Sequence, residues 1–366
     1  MFDSDIRFQK DFVGLSKEIQ KTGKVDLKYV DFDYLPTLRC NLNCKHCRQA
    51  EMRPKKEWKE IKNEMNMNQI KKAWDNIDVE GLIVKINGGE PFVKKEMFDI
   101  FEYFKSRGAY NIVATNASVF SDPKKIERLK KMGLVEITTS LDGMGKTHDE
   151  VRGYPNLFNI MINFAKEMAK DHKVLFECCI QPLNVDQLRD MLRLKRDLGI
   201  YKIRFQLPVF TTKQEIKEAS EMMEEKLEYE AQVMKSSEYG FSFMQLNGNY
   251  EDMVRTGIPF DMHPHFYKKG FEDAFLCFKR SARTKYKFAC SYMFRAKIDP
   301  NGDLRFCPYI IKSFGNIQED NFKDIWNSMA FREFRMKMLN NNLLPSCENC
   351  PHLRIMEEKH EGVRFR

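Results

Sequence analysis

Cys40, Cys44 and Cys47 stand at C-x3-C-x2-C spacing within Cys40-Asn41-Leu42-Asn43-Cys44-Lys45-His46-Cys47. A [4Fe–4S] cluster has four irons and is ordinarily held by four thiolates, so a loop offering three would leave one iron open to another ligand. Three buried thiols, or three ligands to zinc, are the structural alternatives for these residues. His46 is expected to pack beside the metal rather than to bind it. A second set, Cys290, Cys307, Cys347 and Cys350, ends in the C-x2-C knuckle Cys347-Glu348-Asn349-Cys350.

Ten cysteines grouped at ligand spacings in a chain of 366 residues argue for metal and against a disulfide framework. Hydrophobic residues make up 42% and charged residues 31%, as in an ordinary globular protein, and the length suits one large domain with an appendage. The net charge of +8 is spread over short pairs such as Lys71-Lys72 and Lys124-Lys125. There is no basic tract or aromatic-interleaved patch, so nucleic acid is not expected as a partner. No stretch nears the roughly 20 apolar residues of a membrane span. The opening Met1-Phe2-Asp3-Ser4-Asp5-Ile6-Arg7 lacks a basic-then-apolar signal pattern, and a cytoplasmic protein is expected.

From Tyr34, apolar runs of strand length alternate with amphipathic segments, the pattern of a parallel α/β sheet or barrel. Strands are expected near 35–39, 81–87, 110–115, 134–140, 173–181 and 202–208. Asp122-Pro123 reads as the cap and first turn of a helix that Gly133 closes. Phe158, Met161, Ile162, Ala165 and Met168, and again Leu188, Met191 and Leu192, mark buried helical faces. Six strand–helix units predict a partial (β/α)6 barrel, which binds ligands at the carboxyl ends of its strands. Polar residues gather at those ends. The cysteine loop follows the first strand, Gly88-Gly89-Glu90-Pro91 the second, and Asn116 the third. Ser140-Leu141-Asp142-Gly143 ends the fourth, Gln181 and Asn184 follow the fifth, and Gln206 lies near the end of the sixth. Polar groups sent to one rim by six units imply a site there.

The thiol triplet, followed by Gly88-Gly89-Glu90-Pro91, resembles the radical S-adenosylmethionine (SAM) superfamily. That resemblance implies an open iron that chelates SAM, and an electron that cleaves SAM to methionine and a 5′-deoxyadenosyl radical. It places Gly88, Gly89 and Glu90 at the methionine amine of SAM and Asn116 at its ribose hydroxyls. It places Ser140 and Arg152 at the carboxylate, with Arg152 standing in His148-Asp149-Glu150-Val151-Arg152-Gly153. A guanidinium fork suits a carboxylate, and a surface ion pair is the alternative for Arg152. Asp142 is expected to be structural.

The late cysteines, the hairpin Asp299-Pro300-Asn301-Gly302-Asp303, Gly315-Asn316-Ile317 and Ile325-Trp326 resemble the SPASM/twitch region that follows many such barrels. Four cysteines there imply one auxiliary [4Fe–4S] cluster, with zinc as the structural alternative. Phe322, Ile325, Trp326, Met329 and Met336 predict one amphipathic helix between them. The organisation expected is a lead-in (1–33), the α/β radical SAM partial barrel (34–212), a long charged helix over 213–237 with a cap to 289, and a small α+β SPASM/twitch-like cluster domain (290–366). His263 and His265 in the cap are expected to be structural or exposed.

These readings point to a radical SAM enzyme of oxidoreductase or epimerase type with two [4Fe–4S] clusters, SAM and a flavodoxin- or ferredoxin-type reductant. It would abstract hydrogen from a substrate C–H bond, dehydrogenating or epimerising a small molecule of sugar or aminocyclitol type. Modification of a ribosomal peptide is the alternative, and a non-catalytic iron–sulfur scaffold is the alternative of another class. Cys178 and Cys179 are adjacent on the fifth strand, so they point to opposite faces. With Cys277 they are candidate hydrogen-atom donors, or else thiols used as small hydrophobes.

Overall fold

Helix α1 (Phe12–Thr22) precedes strand β1 (Asp31–Tyr34). The chain then alternates through α2 (Met67–Trp74), β2 (Ile83–Ile86), α3 (Met97–Ser106), β3 (Tyr110–Thr115), α4 (Pro123–Lys130) and β4 (Leu134–Ser140). It continues with α5 (Lys146–Arg152), α6 (Leu157–Ala169), β5 (Lys173–Cys179), α7 (Leu188–Asp197) and β6 (Lys202–Gln206). Next come β7 (Phe210–Thr211), α8 (Lys213–Met223), β8 (Gln232–Val233), α9 (Phe243–Arg255) and β9 (Asp261–His263). The C-terminal part holds β10 (Phe288–Cys290), β11 (Arg295–Ile298), β12 (Asp303–Arg305), β13 (Ser313–Asn316), α10 (Phe322–Trp326), α11 (Met329–Asn340) and β14 (Leu353–Ile355). This computed structural model describes residues 12–47, 63–230, 232–233, 243–263, 285–347 and 350–356.

Ten strands form one sheet in the order β13-β12-β11-β1-β2-β3-β4-β5-β6-β9. Every neighbouring pair from β11 to β9 is parallel, and β12 and β13 return antiparallel. The α/β class is as expected, but the parallel part is longer than six strands. β9 comes from the stretch read as a cap, and β11 from the hairpin at 299–303 adds directly to β1. The first strand also lies earlier than expected. Pro36 has no N–H to give a ladder, while Asp31 and Asp33 alternate with Phe32 and Tyr34 across β1. Phe32 and Tyr34 pack outward on Trp74, with ring centroids 5.1 and 5.3 Å away, and Trp74 meets Phe104 edge-on at 4.8 Å. Such pairs add about 0.5–1.5 kcal/mol each beyond burial.

The helix caps explain where the elements begin and end. Asp122 accepts from the Lys124 amide at the start of α4, as its sequence predicts. Thr212 and Glu215 form a capping box on α8. The long helix expected over 213–237 stops at Met223, where Glu224 turns left-handed with φ +57°. The single C-terminal helix is likewise two: Ser328 caps α11, and Met329, expected on the buried stripe, is 75% exposed. The buried faces of α6 and α7 are as expected, with Met161, Ala165, Met168, Leu188 and Met191 fully enclosed. Among the described residues no helix is long and apolar enough to cross a membrane.

Candidate active site

A cavity of about 440 Å³ lies between the strand ends and the C-terminal segments, and the thiols of Cys40, Cys44 and Cys47 open onto it. The loop that carries them is clamped by its neighbours on the rim. Glu90 N donates to Arg39 O (2.8 Å), Gly89 N to Thr37 O (3.1 Å), and Lys45 N to Val151 O (2.9 Å). Asn116 Nδ2 donates to Asn41 Oδ1 at 3.2 Å and lies 3.8 Å from Cys40 Sγ. Asn41 Nδ2 in turn donates to Ser118 Oγ at 2.8 Å. Two rim loops and helix α5 therefore fix one cysteine loop.

Gly88 and Gly89 line the cavity, but their missing side chains are first a packing requirement. A Cβ on either would lie 2.2 Å from a backbone oxygen, of Thr37 for Gly88 and of Arg39 for Gly89. Glu90 is fully buried. Its carboxyl accepts from Thr115 Oγ1 (2.8 Å), Asn116 N (2.7 Å) and Phe92 N (3.2 Å). Burial pushes this carboxyl up to about 7 against those three donors. Glu90 thus orients the rim backbone.

Each residue of His148-Asp149-Glu150-Val151-Arg152-Gly153 has a place in the same framework, Glu150 through an ion pair with Lys45 of the cysteine loop at 2.7 Å. The buried Asp142 pairs with Arg152, Oδ2 to Nη2 at 2.5 Å, and its Oδ1 accepts from Cys179 N at 2.8 Å. Burial would raise the Asp142 carboxyl, but Arg152, then His46 and His148, hold it below its ordinary range. Arg152 Nη1 lies 3.8 Å from Cys44 Sγ, so this is a buried pair at the thiols rather than a surface one. Asp142 N donates to His148 Nδ1 at 3.1 Å, which requires that nitrogen unprotonated. Burial, then Arg152, holds His148 down at about 4. Asp149 accepts from Asn156 N and Phe158 N, each at 2.8 Å, at the entry to α6. Gly153 is left-handed, φ +65°, and a Cβ there would meet Asn43 O at 3.0 Å. His46 also lines the cavity, with Nδ1 3.1 Å from Gln181 Nε2.

Of the three candidate hydrogen donors, the structure separates two. Cys179 faces the cavity, while Cys178 is fully buried in the hydrophobic core, which removes its access to a substrate. Burial raises both thiols. Cys277 and His265 lie outside the described residues. His263, expected to be structural or exposed, is buried on β9 with Nδ1 3.0 Å from Pro351 O and also lines the cavity.

The second thiol set lies in one place. Cys290, Cys307, Cys347 and Cys350 line a single mostly apolar pocket. Amides donate to two of these sulfurs, Tyr292 N to Cys290 (3.4 Å) and Tyr309 N to Cys307 (3.3 Å), as Leu42 N does to Cys40 (3.4 Å). Thiols gathered around a space and fed by N–H donors fit iron–sulfur clusters, whose sulfurs are stabilised by such bonds. The two sites share walls: Tyr292, Pro308, Tyr309 and His352 line both cavities. Burial first, then Arg295, Arg354 and Lys85, hold His352 well below its ordinary range.

Sequence reasoning missed the charged interior of the barrel. Asp33, Lys85, Glu177, Arg204, Arg295 and Lys297 all line the cavity. In register, Asp33 faces Lys85 and Lys297, and Glu177 faces Arg204. The signal was present as single charges at alternate positions of otherwise apolar strands.

A parallel α/β barrel with three thiols at its carboxyl mouth, and four more around an adjoining pocket that shares wall residues with that cavity, is the architecture of an iron–sulfur enzyme. The chain matches the radical SAM superfamily over residues 34–195 and the SPASM iron-sulfur cluster-binding domain over residues 290–351. It carries a radical SAM domain followed by a SPASM iron-sulfur cluster-binding domain, with [4Fe–4S] clusters and SAM as cofactors. An AdoMet-dependent heme synthase of Methanosarcina barkeri is 25% identical over 314 residues, spanning 82% of this chain and 82% of that protein. The fold is similar to that of Streptococcus suis SuiB, with a TM-score of 0.59 at 15% identity over 88% of this chain and 72% of SuiB. SuiB has also been solved bound to precursor peptide SuiA. Native anSMEcpe with bound AdoMet and Kp18Cys peptide is similar in fold at a TM-score of 0.56 and 15% identity, over 84% of this chain and 83% of that one.

Proposed function

We propose that Cys40, Cys44 and Cys47 hold the SAM-cleaving cluster, that Cys290, Cys307, Cys347 and Cys350 hold an auxiliary one, and that the cavity between them takes a small-molecule substrate. The observation that supports this reading is the shared wall of Tyr292, Pro308, Tyr309 and His352, which puts one chamber between the two thiol sets. Bound there, the first cluster supplies the electron that splits SAM to methionine and a 5′-deoxyadenosyl radical able to take hydrogen from a C–H bond, and the second supplies an electron acceptor or an anchor beside the substrate. Arg152, oriented by Asp142, turns its fork toward the cysteine loop, where the SAM carboxylate would sit. Glu90 holds the Asn116 amide, and Asn116 presents the next polar group along the rim. Ser140 lines the same chamber. Burial keeps the Cys179 thiol protonated, the state a hydrogen-atom donor needs, which favours epimerisation as a second outcome beside dehydrogenation.

One relative is named for heme synthesis, and SuiB and anSMEcpe have been solved with peptides bound. A chamber lined by strands on one side and by C-terminal segments on the other supports a small molecule, of which sugars and cyclitols are one class. A flavodoxin- or ferredoxin-type reductant belongs to the same reading. Iron analysis tests it: anaerobically reconstituted protein should hold close to eight irons per chain, about four for each [4Fe–4S] cluster. Replacing Cys40, Cys44 and Cys47 together by Ala should leave about four. Zinc in the C-terminal site would contradict the reading.

A further inference from the structure

A line of contacts joins the chamber to the second thiol set. It starts at Asp33 on β1, which is buried and lines the chamber. Its Oδ1 accepts from Asn87 Nδ2 at 2.5 Å and its Oδ2 from the Tyr292 hydroxyl. Both oxygens accept, so the group serves as a carboxylate and not as an O–H donor. Lys85 stands opposite it on β2, and Lys297, opposite it on β11, gives its Nζ to Asp299. Tyr292 is buried and belongs to the 3-10 turn Ser291–Phe294, which follows Cys290 directly. Its amide donates to Cys290 Sγ at 3.4 Å, so the thiol caps that turn. Its ring stands edge-on to His352, with centroids 4.7 Å apart. One residue thus touches the chamber carboxylate at its hydroxyl and a ligand thiol at its backbone. A single 3-10 turn has poor hydrogen-bond geometry of its own, so the bond to Asp33 fixes where the amide points. An N–H aimed at a cysteine sulfur stabilises a reduced cluster, whereas a carboxylate nearby opposes the added electron. The tether and the charge of Asp33 therefore act on the second site with opposite signs.

We infer that Asp33 is a positioning residue for the second cluster: it holds the Tyr292 amide on Cys290 and, by its charge, keeps that cluster hard to reduce while the chamber is empty. This rests on the reading of the four late cysteines as cluster ligands and adds a chamber residue that governs their cluster. A carboxylate offers about four lone-pair positions, and Asn87 and Tyr292 occupy one on each oxygen. A hydroxyl or ammonium group that enters the chamber can donate to the rest and offset the charge, so the electron acceptor improves when the chamber is filled. Asp33→Asn imitates that offset state, because the amide oxygen still accepts from the Tyr292 hydroxyl.

The test is a reductive titration of the anaerobically reconstituted full-length chain, followed by electron paramagnetic resonance. It is run on the holoenzyme and again with Cys40, Cys44 and Cys47 replaced by Ala, where the second cluster titrates alone. Asp33→Asn should favour the reduced second cluster about ten-fold, a midpoint about 59 mV higher for one electron. Tyr292→Phe keeps the ring and the amide but frees the turn. It should favour the oxidised form about three-fold, a midpoint about 28 mV lower, and should change the spectrum of that cluster alone. Iron content and circular dichroism on each sample report folding, and if one variant loses its iron the other decides the matter. Loss of the cluster from both would make these contacts merely structural and overturn the inference. So would a folded Asp33→Asn whose equilibrium stays within about two-fold of wild type, about 18 mV, or a Tyr292→Phe midpoint that is unchanged or raised. A wild-type chain that takes up no iron at the four late cysteines counts against the proposed function. A normal second cluster with unmoved midpoints in the variants counts against this inference alone.

Discussion

Asp142→Asn removes one charge from the buried pair beneath the cysteine loop while keeping the side chain's shape. The amide can still accept from Cys179 N through Oδ1, but an NH2 group replaces the oxygen that meets Arg152 Nη2 at 2.5 Å. A guanidinium only 12% exposed is then left facing a donor. Breaking a buried pair on one side costs about 3–5 kcal/mol. Arg152 keeps its approach to Cys44 Sγ at 3.8 Å, so the low end, about 3 kcal/mol, is expected. Urea unfolding of the anaerobic protein measures it. The double variant Asp142→Asn/Arg152→Met removes the stranded charge and should recover about 2 kcal/mol of that loss, a coupling typical of contacting residues. SAM affinity should fall about ten-fold in Asp142→Asn, the equivalent of one charge-assisted bond, and should not return in the double variant. A single variant within about 1 kcal/mol of wild type, or a double variant as unstable as the sum of its parts, would refute the buried-pair reasoning.

Glu90, raised from 4.5 to about 7, favours the folded state fully below its unfolded pKa, and that contribution is lost as pH rises through 7. The difference amounts to about 3 kcal/mol. Glu90→Gln cannot ionise, so its urea midpoint should fall less than that of wild type between about pH 5 and pH 8; equal slopes would exclude Glu90 as the source. Cys178→Ser should destabilise by about 1–3 kcal/mol, because it puts a hydroxyl in the core, without changing the product. Cys179→Ser should fold and, if the product is an epimer, abolish hydrogen return, read as loss of solvent deuterium in the product. Cys347→Ala should keep SAM cleavage but lose product, with about four irons remaining; a folded variant that still makes product at the wild-type rate would sink the auxiliary role.

The rim was legible in the sequence because its residues are polar breaks at the ends of apolar runs. Asn116, Ser140 and Gln181 stand out against the strands that precede them. Cys40, Cys44 and Cys47 stood out by their spacing, and the later four by the Cys347–Cys350 knuckle together with the resemblance of the region around them. The strand alternation of Asp31-Phe32-Asp33-Tyr34 was not, because charges facing a polar chamber look like a lead-in, and the apolar count pointed downstream to Leu35 and Leu38. For the same reason Arg204 and Lys85 drew no reading of their own. β9 escaped because three residues show no period, and its pairing with β6 is a long-range event. Glu224 ends α8 in a left-handed turn that no glycine announces. The glycines of Gly88-Gly89 were legible as a close approach, but what they approach first, the Thr37–Arg39 backbone, required coordinates. The His148-Asp149-Glu150-Val151-Arg152-Gly153 run was read for its arginine, whereas His148 and Asp149 turned out to hold the Asp142 turn and the start of α6.

The central claim, that Cys40, Cys44 and Cys47 present an open iron to SAM inside this chamber, is tested most directly by quantifying 5′-deoxyadenosine. Reduced, anaerobically reconstituted protein incubated with SAM alone should form it slowly, and Cys44→Ala should form none while retaining the C-terminal cluster. A wild-type sample with its full iron content that makes no 5′-deoxyadenosine under strong reductant, with or without candidate substrates, would contradict the account.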